Sequence, residues 1–468
     1  MSGDEPITIS DAAEALRSGA TTSVALVNRA VEAADTSDVE VGVFIKRFVD
    51  ASLEAAAAAD EDFAAGRPVG PLHGIPLGIK DIITTKEAVS TAQSLVHDPV
   101  WSDGDAVVVQ RLRAAGGIVM GKLSTMEFAS GLPDESKPFP IPRNPWNLDH
   151  WAGGSSSGSG SGVATGMFLG ALGTDTGGSI RIPAAFCGIT GLMPTFGRVP
   201  KSGCVPLGFT LDHIGPMARS ARDCALMLGS MAGYDASDVT AIDVPVDDYL
   251  SALTGDLAGL RIGVDRVSGA GIVPQDPALD AAMDAAIAAL ESRGAVVREI
   301  TLPAYAEIMS CLGPIAGGEV LSYHRQDAQR RLPDYVASNR LGLGKNTFFS
   351  GADYVQAQRA RRVGHRALME TYTEVDLIVT PSAFAGALAF ADLTPETPWI
   401  HTVNTPYWDL MGNPVISVPI GFTANGLPLG MQLAGRPFDE ATVLRAADAY
   451  QQVTDWHLAA PPVQALVG

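Results

Sequence analysis

Three short segments carry residue types that could do covalent chemistry on a carbonyl. The first, Gly74-Ile-Pro-Leu-Gly-Ile-Lys80-Asp81, ends an apolar run on a lysine. Lysine is almost never fully buried without a reason. A strand-end lysine reaching solvent is the ordinary alternative. If Lys80 is buried instead, desolvation disfavours the ammonium and leaves a neutral amine able to act as a base. The second segment runs from Gly153 to Gly162 as GGSSSGSGSG, including Ser155 and Ser156. Its composition is that of a flexible linker, yet it lies between apolar elements, where a linker does not belong. The third, GTDTGGSIRIP from Gly173 to Pro183, sets Gly177 and Gly178 directly before Ser179. Consecutive glycines before a serine let backbone N–H groups converge on one point, as an oxyanion hole requires.

Other motifs fail on their chemistry. Gly116-x4-Gly121-Lys122 is one residue short of a phosphate loop, because Leu123 stands where a magnesium-holding hydroxyl should be. It reads as a turn, a buried strand and a turn. The run Gly154-Ser155-Ser156-Ser157-Gly158 fits G-x-S-x-G, but WAGG precedes it and no strand leads in. No lysine has a serine three residues upstream, so any serine–lysine chemistry joins residues distant in sequence. The histidines show no tight pairing, and neither a metal nor another cofactor is expected. Cys187, Cys204, Cys224 and Cys311 form no CxxC pair and read as a reduced, buried set.

The elements that must position these residues alternate. Ser10 caps a helix, DAAEALRS, that stops at Gly19, and a second helix spans about Val24 to Ala34. A strand candidate, VGVFIKRF, follows, and Asp50 opens an Ala-rich helix ended by Gly66 and Pro68. Beyond Gly70, PLHGIPLGIKD, GGIVMGKL and GALGTDTGGSI read as strands, with the amphipathic helix DAVVVQRLRAAGG between the first two. LRIGVD, a helix near 277–293 and VVREITL repeat the alternation after a connecting stretch at 236–260. Residues 303–375 read as helical and Arg-rich, and three further buried strands precede a closing helix. The pattern predicts an α/β fold, a central sheet with helices on both faces. One large domain spans 1–468: a helical start (1–66), a core (70–235), a variable middle (236–375) and a part that rejoins the sheet (376–468).

Composition bounds the partners. The chain has 468 residues, 32 Lys and Arg against 52 Asp and Glu, and a net charge of −20. Such a surface is expected to repel nucleic-acid backbone and anionic lipid, with no Lys/Arg cluster to offset it. No stretch approaches the roughly 18–20 apolar residues of a membrane span. MSGDEPITIS has no basic or apolar leader region, so a cytoplasmic location is expected.

Taken together, the three segments closely resemble the amidase signature family of serine hydrolases, over nearly the whole chain. RNPW (143–146), PAAFCGITGLMPTFGRVP (183–200), DHIGPMARS (212–220), GNPVISVPIGF (412–422) and LPLGMQLAGRPFDEATVLRAA (427–447) match as well. The spacings, 75 residues from Lys80 to Ser155 and 24 from Ser155 to Ser179, are typical of that family. The resemblance implies a single large domain on a mixed sheet and a Ser–cis-Ser–Lys triad. In it Ser179 is the nucleophile, Ser155 (after a cis bond from Gly154) relays the proton, and Lys80 is the terminal base. The N–H groups of Thr176, Gly177, Gly178 and Ser179 would form the oxyanion hole. Ser156, Asp175 and Arg181 would support the site. Met126 aligns with a substrate-lining position, core packing being the alternative, and Arg198 reads as a solvated surface residue. Ser157 and Ser159 depart from the usual Gly-Gly-Ser-Ser-Gly-Gly-Ser, and Met193 replaces a frequent lysine.

The activity this implies is hydrolysis of C–N bonds in small neutral amides, with aryl amides and carbamates or urethanes included, through an acyl-enzyme. Met126, Phe128, Phe196 and Leu207 are expected to line an apolar pocket. A small-molecule amide or carbamate is then the expected partner, with neither nucleic acid nor membrane, and a homodimer is allowed. One alternative is the glutaminase subunit of a tRNA-dependent amidotransferase, from the same family. The other is a non-catalytic binding protein on this scaffold, against which the intact triad argues.

Overall fold

In the computed structural model, residues 7–96, 104–268, 270 and 274–463 are described. The first six residues, part of the amino-terminal stretch read above, lie outside them. The strands are β1 (Phe44–Arg47), β2 (Pro76–Lys80), β3 (Ile118–Leu123), β4 (Arg143–Asn144), β5 (Asn147–Trp151) and β6 (Gly170–Asp175). After them come β7 (Thr190–Met193), β8 (His213–Ala218), β9 (Arg261–Val264), β10 (Val296–Glu299), β11 (Leu377–Pro381), β12 (Val415–Phe422) and β13 (Pro428–Ala434). Among the described residues, eleven of them form one sheet in the order β1-β3-β2-β6-β8-β7-β12-β13-β11-β9-β10, while β4 and β5 pair apart. The sheet is mixed: β3-β2-β6 and β11-β9-β10 run parallel and the pairs between and outside them antiparallel. The carboxy-terminal strands therefore share a sheet with the core, as one large domain requires.

Alternation along each strand explains why both faces are covered. Leu377 and Val379 of β11 join one apolar cluster, with the helices Ala221–Met231, Pro277–Ser292 and Glu440–Gln451. Ile378, between them, joins another with Tyr305–Arg331 and Gly351–Glu374. Successive side chains point to opposite faces, so a strand apolar at every position must be packed on both. The expected Arg-rich helical middle is Tyr305–Arg331, Ala337–Asn346 and Gly351–Glu374.

Local boundaries differ from expectation where side chains found other partners. The first helix, Ile9–Ser18, is capped by Thr8, while Ser10 gives its N–H and hydroxyl to Asp223 Oδ1 at 2.9 and 2.8 Å. The second helix runs on to Val41 before the left-handed Gly42, which shortens the strand after it to four residues. No described helix is long and apolar enough to cross a membrane.

The Gly/Ser run is the largest surprise for local propensity. Ser157–Thr165 is a helix with every residue buried, although each interior glycine weakens a helix by about 1 kcal/mol. Close approach explains it. A Cβ at Gly158 would lie 2.7 Å from both Ser124 Oγ and the Val43 carbonyl.

Candidate active site

Parallel neighbours β2 and β6 end side by side, and their carboxyl ends carry Lys80 and the Thr174–Asp175 pair. Crevices at the carboxyl ends of strands are where open α/β sheets bind ligands. The Gly153–Ser156 turn lies against this edge: Thr174 N–H donates to Ser156 Oγ at 3.1 Å, and Ser156 N–H to the Ser179 carbonyl at 3.1 Å. The Gly154–Ser155 peptide bond is cis.

Lys80 is completely buried, not a strand-end lysine in solvent. Its Nζ lies 2.7 Å from Ser155 Oγ, 3.0 Å from Ser156 Oγ and 2.7 Å from Thr174 Oγ1. Ser156 donates its own proton to the Thr174 carbonyl at 3.2 Å, so towards Lys80 it accepts. A neutral amine has two donors and one lone pair. Ser155 and Thr174 are thus the hydroxyls that can offer that lone pair a proton. Burial lowers the Lys80 pKa from its ordinary value to about 7, although the charges of Asp175 and Asp212 oppose the shift. Thr174 escaped sequence reasoning, because a threonine inside a strand signals only β propensity.

The loop after β6 is clamped by one carboxylate. Asp175 accepts from the N–H groups of Gly178 (2.5 Å), Ile180 (3.1 Å) and Arg181 (3.4 Å). This bears on the oxyanion hole that the resemblance implies. The Gly178 N–H is already taken by Asp175, which leaves Thr176, Gly177 and Ser179 as donors without another partner among the described residues. Gly178 is needed for its backbone instead: its φ is +121°, and a Cβ there would run into the Thr405 side chain. Thr405 in turn donates to the Gly177 carbonyl at 2.8 Å.

Arg181 holds this clamp from behind, fully buried. It meets Asp175 at 3.0 Å, Asp409 at 2.5 Å, Gln432 Oε1 at 2.7 Å and the Thr405 carbonyl at 2.9 Å. Burial raises Asp175, but the Arg181 guanidinium outweighs it and holds the carboxyl down to about 2. Burial and the Asp175 charge push Asp409 well up. One guanidinium thus faces two carboxyls whose proton affinities are pushed in opposite directions. Removing one partner of a buried ion pair costs about 3–5 kcal/mol. Arg181→Met should therefore lower the unfolding free energy by about that amount in denaturant titrations. A parent-like midpoint and slope would show that the network is dispensable.

Of the remaining expected site residues, Met126 lies against the Gly154–Ser155 turn. Met126 packs into an apolar cluster with Trp151, Ile182 and Phe186, and its N–H donates to the Ser155 carbonyl at 3.1 Å. Phe128 lines a cavity of about 380 Å³ with Tyr335, Asn339 and Ile400. Leu207 lines one of about 460 Å³ that reaches Thr174 and Thr176, and Phe196 a third of about 790 Å³. None of these three cavities is lined by all four residues. Arg198, read as solvated, is buried beside Glu440 at 3.4 Å and donates to the Pro245 carbonyl at 2.8 Å. Lys122, from the failed phosphate loop, is a second buried lysine, 3.5 Å from Asp81 and 2.6 Å from Ser90 Oγ. Cys187, Cys224 and Cys311 are buried, Cys204 is partly exposed, and all four are free.

A family model described as Amidase matches residues 25–444. The chain is 42% identical to a glutamyl-tRNA(Gln) amidotransferase subunit from a Roseiflexus species, covering 97% of this chain and 98% of the relative. Among solved structures, the same amidotransferase subunit from Thermotoga maritima superposes with a TM-score of 0.77 at 30% identity, over 92% of this chain and 91% of that one. A chain from a vestigial protein complex, solved to trace the origins of an s-triazine catabolic enzyme, gives a TM-score of 0.88. It is 30% identical and covers 95% of this chain and 98% of that one.

These relatives overturn two expectations. A stand-alone hydrolase of small neutral amides or carbamates, with a small molecule as partner and no nucleic acid, is not what full-length similarity to amidotransferase subunits supports. The charge argument failed because a net of −20 averages over the surface. It hides Arg359, Arg362 and Arg366, all exposed on the helix Gly351–Glu374 at one-face spacing.

Proposed function

Because this chain belongs to the amidase family, we propose that it is the amide-cleaving component of a tRNA-dependent amidotransferase, acting as a glutaminase within an assembly. Identity of 42% to an amidotransferase component along nearly the whole of both chains carries this reading. In the proposed chemistry, Ser179 Oγ attacks the side-chain carboxamide carbon of glutamine. Its proton passes through Ser155 to Lys80, and the oxyanion is met by the N–H groups of Thr176, Gly177 and Ser179. As the C–N bond breaks, Lys80 returns the proton through Ser155 and ammonia leaves. Water then hydrolyses the glutamyl ester on Ser179, and partner subunits deliver the ammonia to a glutamyl-tRNA. The 2.7 Å contact between Lys80 and Ser155 and a Lys80 pKa near 7 support the relay.

The test measures ammonia release from glutamine by the purified chain, alone and with its partner subunits, alongside transfer to glutamyl-tRNA. Release from glutamine, stimulated by the partners and coupled to amidation of the tRNA, is the expected result. A chain that cleaves neutral anilides, ignores glutamine and binds no partner subunit would overturn the proposal.

A further inference from the structure

The cavity of about 790 Å³ noted beside Phe196 lies apart from Lys80, Ser155 and Ser179, none of which lines it. Its volume falls in the range of small-molecule sites. Phe196, Met369, Met411 and Phe438 give it apolar walls, and Arg362 and Arg366 also line it. Both rings are backed by cations: Lys201 stands 4.5 Å from the Phe196 centroid, and Arg198 4.7 Å from that of Phe438. Arg361 is spent on the protein, donating to Thr210 Oγ1 at 3.1 Å and to the Thr210 carbonyl at 3.2 Å. His365 likewise donates to the Leu410 carbonyl at 2.9 Å.

Arg362 and Arg366 differ. Both are exposed, and neither makes a hydrogen bond or salt bridge among the described residues. Like charges four residues apart disfavour a helix. In a chain of net charge −20, two unneutralised guanidinium groups one turn apart form a local positive site. Both also line a smaller cavity of about 340 Å³ with Arg359, which extends the positive strip along the helix. Guanidinium forks match the several oxygens of a phosphate better than any neutral donor does.

From this we propose that the cavity binds a nucleoside phosphate, its ring among Phe196, Met369, Met411 and Phe438 and its phosphate on Arg362 and Arg366. The unit is either a free nucleotide or part of an RNA strand. The inference rests on the cavity alone and stands apart from the glutaminase reading, whose failure would be seen in ammonia release.

The experiment titrates the full chain with adenosine monophosphate and with a short single-stranded RNA, and repeats both with Arg362→Gln/Arg366→Gln. Saturable binding is expected, weakened at least tenfold in the double variant and, for the RNA, about sevenfold by raising salt from about 50 to about 200 mM. Inorganic phosphate should compete far less well than the nucleotide. Binding of the mononucleotide but not the RNA assigns the site to a free nucleotide, and RNA binding displaced by the mononucleotide assigns it to a strand. Labelling of Ser179 by a fluorophosphonate, unchanged in the variant, reports that the fold is intact. No saturable binding of either ligand at millimolar concentration, equal binding by the double variant, or equal competition by inorganic phosphate would each overturn the proposal.

Discussion

Ser179→Ala should lose amide hydrolysis by at least about 10³-fold, the scale seen when a nucleophile is removed from a cooperating catalytic set. The loss is large because the relay then has no attacking oxygen to deprotonate, however well Lys80 and Ser155 are placed. The fold should survive. Ser179 is 7% exposed, and the loop around it is held by the Asp175 carboxylate and Arg181, not by its hydroxyl. Steady-state turnover together with fluorophosphonate labelling checks this. The parent should label once and the variant should not. A folded variant with comparable turnover would remove Ser179 from the nucleophile role.

Lys80→Met should cut the rate by about 10²–10⁴-fold, the range of a lost general base, and should also erase a limb of the pH profile. With the Lys80 pKa near 7, the ammonium dominates below that pH and the amine above it. Activity of the parent should therefore rise from pH 6 towards 8. Stability supplies a second readout with a definite sign. The unfolded chain holds this proton up to about pH 10.4, so between about 7 and that value the folded state binds fewer protons than the unfolded one. Parent stability from this group accordingly rises with pH across the window, and the full penalty of the buried ammonium is present below it. Lys80→Met lacks that penalty, so its melting temperature relative to the parent should be most favourable at low pH and fall as pH rises. A rate profile unchanged in Lys80→Met would take the lysine out of the mechanism.

What the sequence by itself determined were the features written in local chemistry. Buried strands such as Leu377–Pro381 and Val415–Phe422 were legible because a nearly continuous apolar run can be satisfied only by cover on both faces, whereas Thr190–Met193 and His213–Ala218 were not read as strands. Lys80 stood out because a charge at the end of such a run needs a reason. The Gly177-Gly178-Ser179 turn was legible because only glycine accepts the φ of +121° found at Gly178. The tertiary structure decided whatever depends on partners far along the chain. It spent the Gly178 N–H on Asp175, and it closed the clamp with Asp409 and Gln432, 228 and 251 residues beyond Arg181. It brought Thr174 to Lys80, 94 residues apart. It turned a linker-like Gly/Ser run into a buried helix, since close backbone contact outweighs weak propensity. It also set Phe128, Phe196 and Leu207 on three different cavities and left Arg362 and Arg366 without a salt bridge among the described residues. Residue type and order set which groups can react, but hydrogen-bond partners, cavities and local charge arise only when distant segments meet.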